Sequence, residues 1–190
     1  METGQTANPV QTTAIFGVKR GFFLDVVDAG FPLQYDDFPQ EKEESGLPQK
    51  TVKVTAQLFE KYRIEVKAEN HVVKIDQPLS GGGTDTGPNP LLCQLSALAG
   101  CIGTVARIVA NRQQLPLRGM TIDVEGDIDT DYLLGKTKEG RAGFQVIRVR
   151  VKVDADMTGE AREKFIREVD ARCPISENLL NVTPMEIVIE

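Results

Sequence analysis

From Thr51 onward the chain alternates between apolar and polar positions. Val52, Val54, Ala56 and Leu58 form one alternating set, and Tyr62, Ile64 and Val66 form a second. Period two places all apolar members on one face, so the pattern predicts two strands joined by a turn at Glu60-Lys61. His71 to Ile75 predicts a third short strand. The run from Ser80 to Pro90 is crowded with turn formers and reads as a loop; Gly81, Gly82 and Gly83 fit neither phosphate-binding glycine spacing. Asn89 is suited to cap a helix whose first residue is Pro90. That helix is apolar on nearly every face, reaches about Arg112 and must end before Pro116.

Met120, Ile122 and Val124 predict a further strand, and the polar stretch Asp127 to Arg141 a hairpin. Ile147, Val149, Val151 and Val153 alternate cleanly, while Phe144 and Val146 fall on the opposite phase. A bulge or face switch is therefore expected near Val146. Thr158 to Arg172 predicts a second helix, with Ala161, Phe165, Val169 and Cys173 recurring every four residues along one face. Pro174 limits its length, a turn or short helix is expected over Ser176 to Asn181, and Pro184 to Glu190 reads as a closing strand. The fold class is α+β.

Residues 1–50 have a different character. They hold eight acids against four bases and five of the eight phenylalanines of the chain. Disordered tails are poor in aromatics, so this segment is expected to dock on its own chain or on a partner. Residues 16–38 should be packed, with Phe22, Phe23 and Phe31 buried. The charged run from Glu41 to Gly46 reads as a linker. The expected organisation is an acidic, phenylalanine-rich extension over 1–50 and a domain over 51–190.

Composition narrows the function. With 190 residues, a net charge of −6 and a pI near 5.0, the chain lacks the clustered positive charge that nucleic acid requires. Arg148, Arg150 and Lys152 alternate with valines and read as the solvated face of a strand. Leu91 to Ala110 is long enough to span a membrane, yet it contains Gln94, Ser96, Thr104, Arg107 and two glycines. A buried core helix is the better reading. Met1 to Thr13 lacks a signal-peptide pattern. We therefore expect a cytoplasmic protein with neither nucleic acid nor membrane as a partner.

Three cysteines, Cys93, Cys101 and Cys173, make a poor disulfide scaffold. There is no C-x-x-C, and His71 is the only histidine, so neither a metal site nor a cofactor is expected. Cys93 and Cys101 stand on one helix, too far apart along its axis to bond each other. Cys173 sits at a helix end before a proline, where a thiol can be both exposed and held.

Two segments carry a resemblance. Gly87-Pro88-Asn89-Pro90-Leu91-Leu92, then Leu98-Ala99-Gly100-Cys101 and Thr104-Val105-Ala106, resemble the cysteine helix of the OsmC/Ohr superfamily of osmotically inducible and organic hydroperoxide resistance proteins. Cys173-Pro174-Ile175-Ser176 is similar to the second cysteine motif of that family. The resemblance spans about Thr51 to Glu190. It implies an intertwined homodimer in which antiparallel sheets wrap two long central helices. It also implies a thiol-dependent peroxidase acting on organic hydroperoxides, with Cys101 as peroxidatic thiol, Cys173 as resolving thiol and a dithiol reductant. Arg63 roughly matches the place of the thiolate-stabilising arginine. Leu91 and Leu92 occupy the positions where the family carries a glutamate that holds this arginine. That departure leaves a second reading open: a non-catalytic, OsmC-like dimeric binding protein.

Overall fold

The computed structural model describes residues 49–189. The expected packing of Phe22, Phe23 and Phe31 lies outside the described residues. Strands β1 (Thr55–Leu58), β2 (Ile64–Ala68) and β3 (His71–Ile75) form an antiparallel sheet in that order. The turn after β1 falls where expected: the Phe59 N–H donates to the Arg63 carbonyl at 2.8 Å, and Lys61 takes a positive φ of 57°. The register pairs Leu58 with Ile64, Ile64 with Ile75, and Val66 with both Ala56 and Val73. Directly paired residues share a face, so one face of this sheet is apolar. Nothing among the described residues covers it fully: Leu58 is 66% exposed and Val73 43%.

Helix α1 (Pro90–Gln113) starts as the sequence requires. The Asn89 side chain accepts the Leu92 N–H at 2.9 Å, and Pro90 fills the first helical position. The loop before it is fixed by Asp76, which is 1% exposed. This carboxylate accepts the backbone N–H groups of Gln77, Thr84 and Thr86 and the hydroxyls of Thr84 (2.5 Å) and Thr86 (2.9 Å). These bonds, led by the Thr84 hydroxyl, outweigh its burial and hold its pKa far below the ordinary carboxylate range. The loop folds tightly enough that a Cβ on Gly83 would lie 1.9 Å from the Gln77 carbonyl oxygen.

Strands β4 (Leu117–Asp127) and β5 (Val146–Ala155) pair antiparallel in a second sheet. Two expectations need correction here. The polar excursion between these strands is not a hairpin in itself; it contains the short helix α2 (Thr130–Leu133), capped by Asp129. The irregularity expected near Val146 lies at the other end, between Leu117 and Gly119, and Val146 pairs regularly with Asp127. Phe144 is out of phase because it precedes the strand and lays its ring against Gly126, where a Cβ would approach to 2.6 Å.

Helices α3 (Gly159–Ala171) and α4 (Pro174–Leu180) follow β5. The core is the face of α1 bearing Leu98, Ile102, Val105, Ala106, Val109 and Ala110. It packs on Leu117 of β4 and on Phe165, Val169 and Cys173. Of the four-residue row read from the sequence, only Ala161 stays exposed. Phe165 and Val169, 2% and 1% exposed, each contribute roughly 1.5–3 kcal/mol through burial. The expected strand over Pro184 to Glu190 does not form among the described residues. A strand needs a hydrogen-bonding neighbour, and this segment has none among the described residues: Ile187 is 79% and Ile189 94% exposed.

Candidate active site

Cys101 lies halfway along α1, half-buried. Cys173 lies in the break between α3 and α4, which Pro174 enforces by starting a new helix at once. Several bonds set that break. The Cys173 N–H donates to the Asp170 carbonyl at 3.1 Å, and the Ser176 hydroxyl donates to the Asp170 carboxylate at 2.6 Å. The Cys173 sulfur caps α4 by accepting the Ser176 N–H at 3.5 Å.

The two elements bring the thiols into contact. The Cys173 Sγ–H donates to Cys101 Sγ across 2.9 Å, although the residues are 72 apart in sequence. A disulfide has sulfurs about 2.05 Å apart, so small movements suffice to join them. The two thiols are unequal. Cys173 is 1% exposed, and burial, followed by its hydrogen bond to Cys101, pushes its pKa up. Cys101 opens onto a cleft of ≈ 420 Å³ lined also by Gly100, Thr104, Val105, Ile108, Arg172 and Pro174. The Thr104 hydroxyl is turned away from chemistry, donating to the Gly100 carbonyl at 2.8 Å. One sulfur therefore meets solvent, and the other stands behind it as a protonated donor.

The remaining sequence candidates lie elsewhere. The Arg63 guanidinium sits over the Phe59 ring, 4.9 Å from its centroid, and Arg63 does not line the cleft. Leu91 is half-buried and Leu92 is 52% exposed in the first turn of α1. Cys93 points its sulfur at the Pro88 carbonyl, 3.9 Å away. Among the described residues, no three His, Cys, Asp or Glu side chains gather to hold a metal ion. The sequence reading missed Arg172, the charged residue of the cleft. Its signal was adjacency to Cys173 and a Glu168–Arg172 spacing of one helical turn.

Comparison with known proteins places this geometry. The family model described as OsmC-like protein matches residues 82–188, more than half of the chain and both thiol segments. The chain belongs to the OsmC-like family. Solved structures of OsmC-like proteins share its fold. An OsmC-like protein from Mycoplasma pneumoniae superimposes with a TM-score of 0.62 at 23% identity, covering 71% of this chain and 91% of that one. The organic hydroperoxide resistance protein OsmC from Legionella pneumophila gives a TM-score of 0.53 at 17% identity, over 70% and 91% of the two chains. An organic hydroperoxide resistance protein from Elizabethkingia anophelis gives 0.51 at 18% identity, over 68% and 88%. No curated protein matches the chain. At these identities the OsmC-like structures speak for the fold alone.

Proposed function

We propose that this protein is a thiol-dependent peroxidase that reduces organic hydroperoxides. The observation that carries the reading is the Cys101–Cys173 sulfur contact of 2.9 Å beneath an apolar cleft. The Cys101 thiolate attacks one peroxide oxygen, the O–O bond breaks, and the alcohol leaves after taking a proton. Cys101 is then a sulfenic acid. The Cys173 sulfur attacks it, an S–S bond forms and water leaves. An external dithiol reopens the disulfide and is itself oxidised to a disulfide. The hydrogen bond from Cys173 already holds the resolving sulfur against Cys101.

The working unit is a homodimer. Of the most apolar 18-residue window of α1, only 28% is buried within its own chain. The apolar face of the β1–β3 sheet and the segment 182–189 are exposed as well. A second copy would supply the missing cover and the second long central helix. Among the described residues, α1 is the one helix long and apolar enough to cross a membrane, but it carries six core residues of the domain. We therefore read the protein as soluble and cytoplasmic. A non-catalytic binding role is the second reading, favoured by Leu91 and Leu92 at the helix start. Thiol titration before and after cumene hydroperoxide decides between the two. Rapid loss of two thiols per chain with a mass-mapped Cys101–Cys173 disulfide supports the enzyme; two persistent thiols support the binder.

A further inference from the structure

The cleft beside Cys101 is apolar except for one group. Val105, Ile108 and Pro174 supply hydrocarbon, and the Thr104 hydroxyl is spent on its own helix. Arg172 supplies the only formal charge in the lining. Its guanidinium is tethered: Nη1 donates to the Glu168 carboxylate at 3.3 Å. Glu168 is fixed from the other side, because the Gln113 amide of α1 donates to its second oxygen at 2.6 Å. A guanidinium has five N–H donors, and this tether engages one of them. Long arginine side chains lose entropy when held, so a pre-held one with spare donors is a prepared anion site. The pair is one third exposed on each side, with side-chain exposures of 36% and 34%. Water therefore weakens it without removing it.

We infer that Arg172, positioned by Glu168, recognises an anionic group on the molecule that enters the thiol cleft. The cleft then favours electrophiles that combine an apolar body with one negative charge. That the natural electrophile is a hydroperoxide rests on the peroxidase reading; the charge preference does not.

The test separates the two. Reduced full-length protein is alkylated with neutral iodoacetamide and with anionic iodoacetate, and the rate at Cys101 is followed by peptide mapping. Replacing Arg172 by Gln should lower the iodoacetate-to-iodoacetamide rate ratio about 3- to 10-fold, and Arg172→Lys should retain most of it. Added salt should shrink the difference. An equal ratio in wild type and Arg172→Gln overturns the inference. Should that variant fail to fold, a wild-type ratio that does not fall with added salt overturns it instead. A second measurement compares cumene hydroperoxide with its ring-carboxylated analogue. If neither oxidises Cys101 while the alkylation ratio still follows Arg172, the peroxidase reading falls and the anion site stands. If both oxidise Cys101 equally in wild type and Arg172→Gln, the anion site falls and the peroxidase stands.

Discussion

The Cys173 thiol donates to the Cys101 sulfur from a position sealed against solvent, so the buried partner faces the exposed one from behind. This asymmetry orders the chemistry. Replacing Cys101 by Ser should reduce peroxide consumption by roughly 1,000-fold or more, since the attacking atom is gone. Cys173→Ser should leave the first oxidation intact and stall the cycle at the sulfenic acid. A sulfenic-acid trap such as dimedone, read by mass at Cys101, should then label Cys173→Ser strongly and wild type weakly. Equal labelling would exclude Cys173 as the resolving thiol.

The two thiols should also separate by pH. The raised pKa of Cys173 keeps it protonated through neutrality, so its thiolate appears only above the ordinary thiol range near ~8.5. Alkylation followed by peptide mapping between pH 6 and 10 should modify Cys101 well before Cys173. Simultaneous modification at pH 7 would contradict the burial argument.

Asp76 makes stability acid-sensitive. Its folded pKa lies below the ordinary value of 3.8, so it stays ionised in the fold where the unfolded chain already takes up a proton. The stabilisation is complete above about pH 5 and is withdrawn as the pH falls through and below the ordinary carboxylate range. Asp76→Asn should melt lower than wild type at pH 7, and the gap should narrow towards pH 2. Thermal melts across that range measure it, and a gap independent of pH would contradict the account.

Gly83 tests the same loop by shape. A methyl group at Gly83 meets the Gln77 carbonyl oxygen, a backbone atom that cannot swing aside. Gly83→Ala should cost about 1–3 kcal/mol in urea unfolding. Gly159→Ala meets nothing within 4 Å and should be close to neutral.

Covering α1 and the β1–β3 face by a second copy predicts a dimer in sedimentation at micromolar concentration. Val73→Lys places a charge on the uncovered apolar face and should shift the population towards monomer. A wild-type monomer would remove the dimer from the proposal.

What the sequence disclosed follows from which interactions are local. The Asn89 cap, the Pro90 start and the row Phe165, Val169, Cys173 are set by neighbours within one or two turns, and they stand where the pattern put them. The cysteine segments were legible as motifs, but their contact depends on α3 packing against α1, which no local pattern encodes. Asp76 escaped notice because its hydroxyl partners, Thr84 and Thr86, lie 8 and 10 residues away in a loop without periodicity. Arg172 looked like an ordinary surface arginine until the helix break turned it towards the cleft. The segment from Pro184 has the composition of a strand, and composition does not supply a neighbour to pair with.

The sulfur contact also has a mechanical meaning. A bond between Cys101 and Cys173 would close a loop of 72 residues that holds β4, β5 and all of α3. Closing a loop of that length removes enough freedom from the unfolded chain to stabilise the fold by about 4 kcal/mol. The oxidised molecule would be the sturdier one and the reduced molecule the one that opens. A protease added to each form would digest the reduced chain first, so lifetime as well as chemistry would follow the supply of reductant.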